Sequence, residues 1–106
     1  MALSPAVAHR IEFPTFLVAA PGSAEPFPNI HIPDGFSVTL KNRARSRGNF
    51  YLASTKADAE SLAGRRMVLE PGDAVTLAID NLSLLWRDAD DALSRLEVTL
   101  AQAFVA

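Results

Sequence analysis

Alternation of apolar and polar residues is the feature that most constrains the fold of this chain. In residues 36–40, 75–79 and 96–100, every second side chain is apolar. This period of two is typical of a β-strand with one buried face. Shorter apolar runs lie at residues 50–54, 67–70 and 84–87. Six or so short strands separated by turns predict an all-β fold, an antiparallel β-sandwich or a jelly-roll-like barrel.

Two local signals fall between the predicted strands. Residues 55–64 combine a hydroxyl cap at Thr55, helix-forming residues and a closing Gly64, which predicts one short helix. Pro71 and Gly72 suit a type II turn, because proline presets a negative φ and glycine accepts a positive one. We therefore predict a β-hairpin at this turn, followed by a return strand through Trp86.

Proline divides the chain unevenly, with six of the seven prolines in the first 33 residues. Proline cannot donate to a β-ladder, so residues 1–28 are predicted to form an extended N-terminal arm ahead of a sandwich domain at residues 29–106. Because the arm is apolar, it must pack on its own domain or on a neighbouring subunit. We expect contact with another chain, with partner-binding residues Ile11, Phe13, Phe16, Leu17 and Phe27.

Composition limits the class of protein. A chain of 106 residues is expected to form one domain, and without cysteine it has neither disulfides nor thiolate chemistry. No apolar run approaches the roughly 20 residues of a membrane span, and no signal peptide is recognisable at the N-terminus. We expect a soluble protein, intracellular where it is made, with no membrane partner.

A basic stretch at residues 41–47 is the sharpest charge feature. If this segment is an extended hairpin, Lys41, Arg43, Arg45 and Arg47 lie on one side. They could contact a protein partner, nucleic acid or only solvent. The net charge of −2 and the lack of interleaved aromatic residues argue against nucleic acid. The arginines are therefore predicted to contact a partner or to be solvated.

The two largest polar aromatics have different predicted roles. Trp86 shares its phase with Leu84, which favours burial in the core. Tyr51 is out of phase with its apolar neighbours and is predicted to face a partner, where aromatic side chains often act as anchors.

Patterns for catalysis and metal binding are weak. A Pro-Gly-Asp turn precedes metal-binding histidines in cupin-like barrels, but both histidines here, His9 and His31, lie upstream of it. The segment at residues 80–81 lacks the ligand spacing of a calcium loop, and nothing resembles a nucleophile elbow. We predict a protein that is not an enzyme, with no catalytic, cofactor-binding or metal-binding residues.

Residues 30–102 resemble the small β-sandwich modules of tailed-bacteriophage virion proteins. The resemblance is carried by Asn49-Phe50-Tyr51-Leu52, by Leu69-Glu70-Pro71-Gly72-Asp73-Ala74-Val75-Thr76-Leu77, and by Ile79-Asp80-Asn81-Leu82 before an aromatic strand. The basic hairpin and the proline-rich arm depart from this pattern. The resemblance implies a non-enzymatic structural subunit of the virion, as a capsid decoration, neck, tail or fibre component.

Two functions from different classes follow. The first is a virion subunit, made in the host cytoplasm, that binds other virion proteins and copies of itself as a homo-oligomer. The alternative is a carbohydrate- or polymer-binding β-sandwich module. Such a module would carry several exposed aromatic residues on one face, and this chain has one Trp and one Tyr.

Overall fold

The chain folds into two four-stranded antiparallel sheets. The computed structural model describes residues 10–61 and 66–102. The first sheet has the strand order β1 (Arg10–Glu12), β8 (Leu96–Gln102), β3 (Phe36–Asn42) and β6 (Ala74–Leu77). The second has the order β2 (Glu25–Pro26), β7 (Trp86–Ala89), β4 (Phe50–Ala53) and β5 (Met67–Leu69). The predicted all-β sandwich is confirmed.

The order of the strands makes this sandwich a jelly roll. Successive strands alternate between the two sheets, except for β4 and β5, which pair within the second sheet. Each sheet thus contains strands that are distant in sequence, as in the eight-stranded double-sheet jelly roll. The longest pairing joins β3 and β8, and its seven residue pairs run from Phe36↔Gln102 to Asn42↔Leu96.

The alternation seen in the sequence produces the core. Val38 and Leu40 of β3 and Val98 and Leu100 of β8 are buried, and Phe50 of β4 meets them from the second sheet. In β6 the residues Val75 and Leu77 are only half-buried, because β6 lies at the edge of its sheet.

One short helix covers the second sheet. Helix α1 (Lys56–Glu60) begins after Thr55, whose hydroxyl oxygen accepts a hydrogen bond from the amide of Asp58, as the sequence predicts. It ends at Glu60, and residues 62–64 of the predicted helix lie outside the described residues. Beneath it, Trp86 packs with Ala24, Ala53 and Ala59 in a small second cluster. The predicted burial of Trp86 is only partial, since its side chain is half-buried against this cluster. The shared phase with Leu84 does not hold, because Leu84 is exposed in a 3₁₀ turn at Leu82–Leu84.

The turn at Pro71-Gly72 is a corner between the sheets. The amide of Asp73 donates to the carbonyl of Glu70, and Gly72 has a φ of 94°, as a type II turn requires. However, β5 and β6 belong to different sheets, so the predicted hairpin is wrong. The backbone carbonyl of Asn42 in β3 accepts a hydrogen bond from the amide of Gly72, and the amide of Asn42 donates to the carbonyl of Asp73. Gly72 and Asp73 thus lie together opposite the single residue Asn42, which is a glycine-type β-bulge.

Residues 10–28 of the predicted arm lie on their own sandwich. Strand β1 pairs with β8, β2 pairs with β7, and Val18 and Phe27 are buried in the core. Residues 1–9 lie outside the described residues. Of the two expectations for this apolar segment, packing on its own domain accounts for its most buried side chains.

Arg87 of β7 holds this segment in place. Its Nε donates to the carbonyl of Leu17 at 3.0 Å and its Nη1 to the carbonyl of Pro26 at 2.8 Å. The guanidinium also lies over the rings of Phe16 and Phe27. Burial lowers the pKa of Arg87, and the nearby Glu25 carboxylate partly offsets this effect.

Candidate partner-binding surface

The arginines predicted to bind a partner lie in a loop that connects the two sheets. This basic loop (residues 43–47) follows β3 and leads to β4, so it is not a hairpin within one sheet. The amide of Ser46 donates to the carbonyl of Arg43, which closes a turn. The segment is therefore not extended, and the simple alternation that would place every charge on one side does not apply.

A buried asparagine fixes both ends of the basic loop. Asn42 is fully buried, and its Nδ2 donates to the carbonyl of Gly48 at 3.0 Å and to that of Leu69 at 2.8 Å. The loop is thus tied to the corner turn that follows β5. Since both acceptors are backbone groups, the side chain orders the loop without using any of its arginines.

The three arginines remain on the surface. Arg43, Arg45 and Arg47 are all exposed. Arg43 forms an ion pair with Glu97 of β8, with 2.8 Å between Nε and Oε2. An exposed pair of this kind contributes at most about 1 kcal/mol to stability.

A fourth arginine and an exposed leucine join this surface. The amide of Arg43 donates to the carbonyl of Arg95, which brings the start of β8 beside the loop. Arg95 and Leu93 line a shallow cavity of about 370 Å³ together with residues 43–46. Leu93 is 61% exposed, and Nη1 of Arg95 is buried without a hydrogen-bond partner. We call Arg43, Arg45, Arg47, Leu93 and Arg95 the basic surface.

Leu93 and Arg95 were not predicted as part of this surface, because their position depends on the pairing of β3 with β8. That pairing sets Asn42 opposite Leu96, about fifty residues further along the chain. The sequence contained only an indirect indication of this position. Arg95 directly precedes the alternating segment 96–100, which had to pair with another strand.

The apolar residues predicted for partner binding are distributed differently. Phe13 shares a shallow groove with Arg43 and Glu97, so one of them adjoins the basic surface. Ile11 is 43% exposed on the edge strand β1, while Phe16 and Leu17 are half-buried. Phe27 needs correction as a partner-binding residue, because it is only 2% exposed in its own core.

Tyr51 lies on the outer face of the second sheet, apart from the basic surface. Its hydroxyl donates to Oδ1 of Asp90 at 2.7 Å, and the guanidinium of Arg66 lies 3.6 Å from the ring centroid. Burial raises the pKa of Tyr51, and the hydrogen bond to the Asp90 carboxylate and its charge raise it further, whereas Arg66 acts in the opposite direction. Tyr51 is thus engaged within the chain.

The remaining candidates do not converge. His31 lies on the surface, as predicted, and forms a single bridge with Asn81 rather than a strand. Within residues 10–61 and 66–102, no group of three or more His, Asp or Glu side chains could hold a metal ion. Across the same residues, no helix has the length and apolar character needed to cross a membrane.

Comparison with known proteins leaves the structure as the main guide to function. The chain matches no known protein family, no curated protein and no solved structure.

Proposed function

We propose that this protein is a non-enzymatic structural subunit that attaches to an acidic protein surface through its basic surface. The observation that carries the proposal is the exposure of three loop arginines, two of which line one cavity with Leu93. Arginine is enriched at protein interfaces, and the fully buried centres of these interfaces are more apolar than the surrounding surface.

Charge favours a protein partner over other partners. The chain is acidic overall at −2, so its positive potential is local to one end of the sandwich. Carboxylates suit this surface, because the planar guanidinium can donate two parallel hydrogen bonds to one carboxylate. Arg95 lines the same cavity, so a fourth guanidinium lies beside the loop arginines.

A place in a bacteriophage virion is the form of this proposal that the sequence resemblance favours. The jelly-roll topology is compatible with it, because viral capsid domains use this fold, as do lectins and cupins. Since a fold alone does not decide function, the attachment surface carries the proposal. The subunit would be made in the host cytoplasm and then bind other virion proteins and copies of itself.

The carbohydrate- or polymer-binding alternative has less support. It needs aromatic rings that are free to stack on a ligand. Tyr51 is covered by Arg66 and bonded to Asp90, and Trp86 packs with alanines beneath helix α1.

The test is attachment by the arginine variants. Replacing Arg43, Arg45 and Arg47 together by Gln changes the unfolding free energy by no more than about 1 kcal/mol, because all three are exposed. We expect the triple variant to be lost from virions purified from a producing culture, in which mass spectrometry detects the wild-type protein. Added salt should also weaken attachment of the wild type.

Lys56→Gln is the matched control, because it removes an exposed positive charge from helix α1, which covers the second sheet and is not part of the basic surface. It should attach like the wild type. Absence of the wild-type protein from purified virions contradicts the proposal, as does a triple variant that attaches normally. Tight binding of the wild type to duplex DNA at physiological salt, lost in the triple variant, favours a nucleic-acid partner instead.

A further inference from the structure

The edges of the two sheets differ in how they are protected. Edge strands expose unpaired amides and carbonyls, and proteins block them with charges, proline or very short strands. Strand β1 contains Arg10 and Glu12, β2 has two residues and includes Pro26, and β5 has three residues before Glu70-Pro71.

Strand β6 is the longest of the four edge strands, with four residues, and it is not protected by charge or proline. It lies at the end of its sheet, and from Ala74 to Ile79 it contains neither a charged residue nor proline. Its bulge lies earlier, at Gly72 and Asp73. Within the described part of the chain, β6 pairs only with β3.

The hydrogen-bond pattern shows which groups are free for pairing. The amide of Asn42 donates to Asp73, and hydrogen-bonded pairs recur at every second residue of an antiparallel ladder. Leu40 therefore exchanges its bonds with Val75. The amide and carbonyl groups of Ala74 and Thr76 are directed away from β3, toward the open edge.

A row of threonines leads to the same edge. Thr99 of β8 is opposite Thr39 of β3, and Thr39 is opposite Thr76 of β6. The hydroxyls of Thr39 and Thr76 are 2.9 Å apart. Such cross-strand threonine pairs stabilise adjacent strands, and here the row stops at a residue with an unpaired edge.

We propose that β6 pairs antiparallel with β6 of a second copy of this chain, about a two-fold axis at Thr76. Thr76 then exchanges two backbone hydrogen bonds with its symmetry mate, and the threonine row continues into the second copy. Val75 is opposite Leu77 of the mate, and Ala74 is opposite Ala78. The result is one continuous eight-stranded sheet.

Charge and burial favour a second copy as the occupant. When two copies of one strand pair about a two-fold axis, residues that lie opposite each other belong to the same face of the sheet. Asp73 and Asp80 are an odd number of residues apart and so belong to opposite faces, which means that their charges are never directly opposite each other. Val75, Leu77 and Ile79 are half-buried and gain cover from their counterparts. Strand β5 borders the same open side, and its Met67 and Val68 are 39% and 46% exposed.

Sedimentation velocity over a range of concentrations tests the pairing. We expect wild-type protein to form dimers reversibly, because strand pairing alone buries less than the ~1,200 Å² of a standard stable interface. Thr76→Lys should weaken dimerisation about tenfold or more by opposing two like charges at the axis. Its thermal stability should fall only slightly, through loss of the hydroxyl contact with Thr39, since Thr76 is exposed. Ser54→Lys, which adds the same charge away from β6, should dimerise like the wild type.

A cysteine variant tests the register of the pair. The natural chain has no cysteine, and residues facing each other in a hydrogen-bonded pair have Cα atoms about 5.5 Å apart. Thr76→Cys should therefore be crosslinked to a covalent dimer by a short bifunctional thiol reagent, whereas Ser54→Cys should stay monomeric. A wild-type protein that is monomeric at every concentration overturns the proposal. So does Thr76→Lys dimerising like the wild type, or equal crosslinking of the two cysteine variants. None of these results depends on the basic surface, so the two proposals can fail separately.

Discussion

At the scale of single residues, two buried polar side chains join distant parts of the chain by donating to backbone carbonyls. Asn42 continues an alternating strand in a position that a sequence reading gives to an apolar residue. Its burial is compensated by hydrogen bonds, because the side-chain amide donates to the backbone carbonyls of Gly48 and Leu69. Arg87 is similar, because its partners are carbonyls 70 and 61 residues earlier in the chain. No local pattern could indicate contacts between groups so far apart in the sequence.

Tyr51 offers a direct test of residue-scale electrostatics, because it is the only tyrosine. Burial and Asp90 raise its pKa above the usual 10.0, so the folded chain favours the neutral phenol more than the unfolded chain does. This contribution to stability is complete below about pH 10 and is lost as the pH rises through the folded-state pKa. Titration of the phenolate by ultraviolet absorbance should give a midpoint above 10.0.

Two substitutions separate the causes of this shift. Asp90→Asn should lower the midpoint, because it removes a negative charge next to the phenol. Arg66→Gln should raise it, because it removes a cation that favours the phenolate. A wild-type midpoint at or below the usual value would show that burial and the contact with Asp90 do not raise the pKa of Tyr51 in solution.

At the scale of secondary structure elements, prediction worked where one strand face is buried and failed where a connection changes sheet. The strands at residues 36–40 and 96–100 were predicted because alternation reports burial on one side. The turn geometry at Pro71-Gly72 was also predicted, because φ preferences are local. Whether that turn joins neighbouring strands or crosses between sheets depends on partners elsewhere, so a hairpin was predicted in place of a corner.

Gly72 is the residue on which that corner depends. It occupies the positive-φ position of the type II turn and also the first position of the β-bulge opposite Asn42. An added Cβ would meet no atom within 4 Å, so only backbone strain opposes a side chain there. Gly72→Ala should therefore lower the unfolding free energy by about 1–2 kcal/mol.

Urea denaturation followed by fluorescence of Trp86, the only tryptophan, measures this loss. Gly72→Asn is the control, because asparagine tolerates the left-handed conformation better than alanine does, and it should be the more stable variant. Equal stability of the wild type and Gly72→Ala would mean that the chain does not adopt the positive φ in solution.

At the scale of the whole molecule, the N-terminal segment changes from a separable arm into part of the sandwich. Proline content correctly indicated short edge strands, since β1 and β2 together contain five residues. Proline content could not show that Val18 and Phe27 complete the core. Their positions depend on the hydrogen bonds from Arg87 to the backbone carbonyls of Leu17 and Pro26. The basic surface was predicted only in part. Its loop arginines are neighbours in sequence, whereas Arg95 comes to lie beside them only because β8 pairs with β3.

Because the N-terminal segment is part of the sandwich, the expected result of deleting residues 1–28 is the opposite of what the sequence alone implies. With residues 1–28 as an independent arm, their deletion would leave the sandwich folded. In the structure, the deletion exposes the core around Phe27 and leaves the Arg87 guanidinium without its carbonyl acceptors, the Glu25 carboxylate and both phenylalanine rings. Removing the partners of a buried charge costs about 3–5 kcal/mol, and each large apolar side chain lost from the core about 1.5–3 kcal/mol more. These losses are comparable to the whole stability of a small domain, about 5–15 kcal/mol.

We therefore expect the chain of residues 29–106 not to fold cooperatively, while deletion of residues 1–9 alone retains every contact described for Arg87. Thermal denaturation by circular dichroism and the dispersion of amide signals in NMR spectra distinguish the outcomes. The shorter deletion should unfold in one cooperative transition, and the longer one should show none. A cooperative transition for residues 29–106 would restore the separable arm, because the sandwich would then be complete without β1, β2 and Phe27.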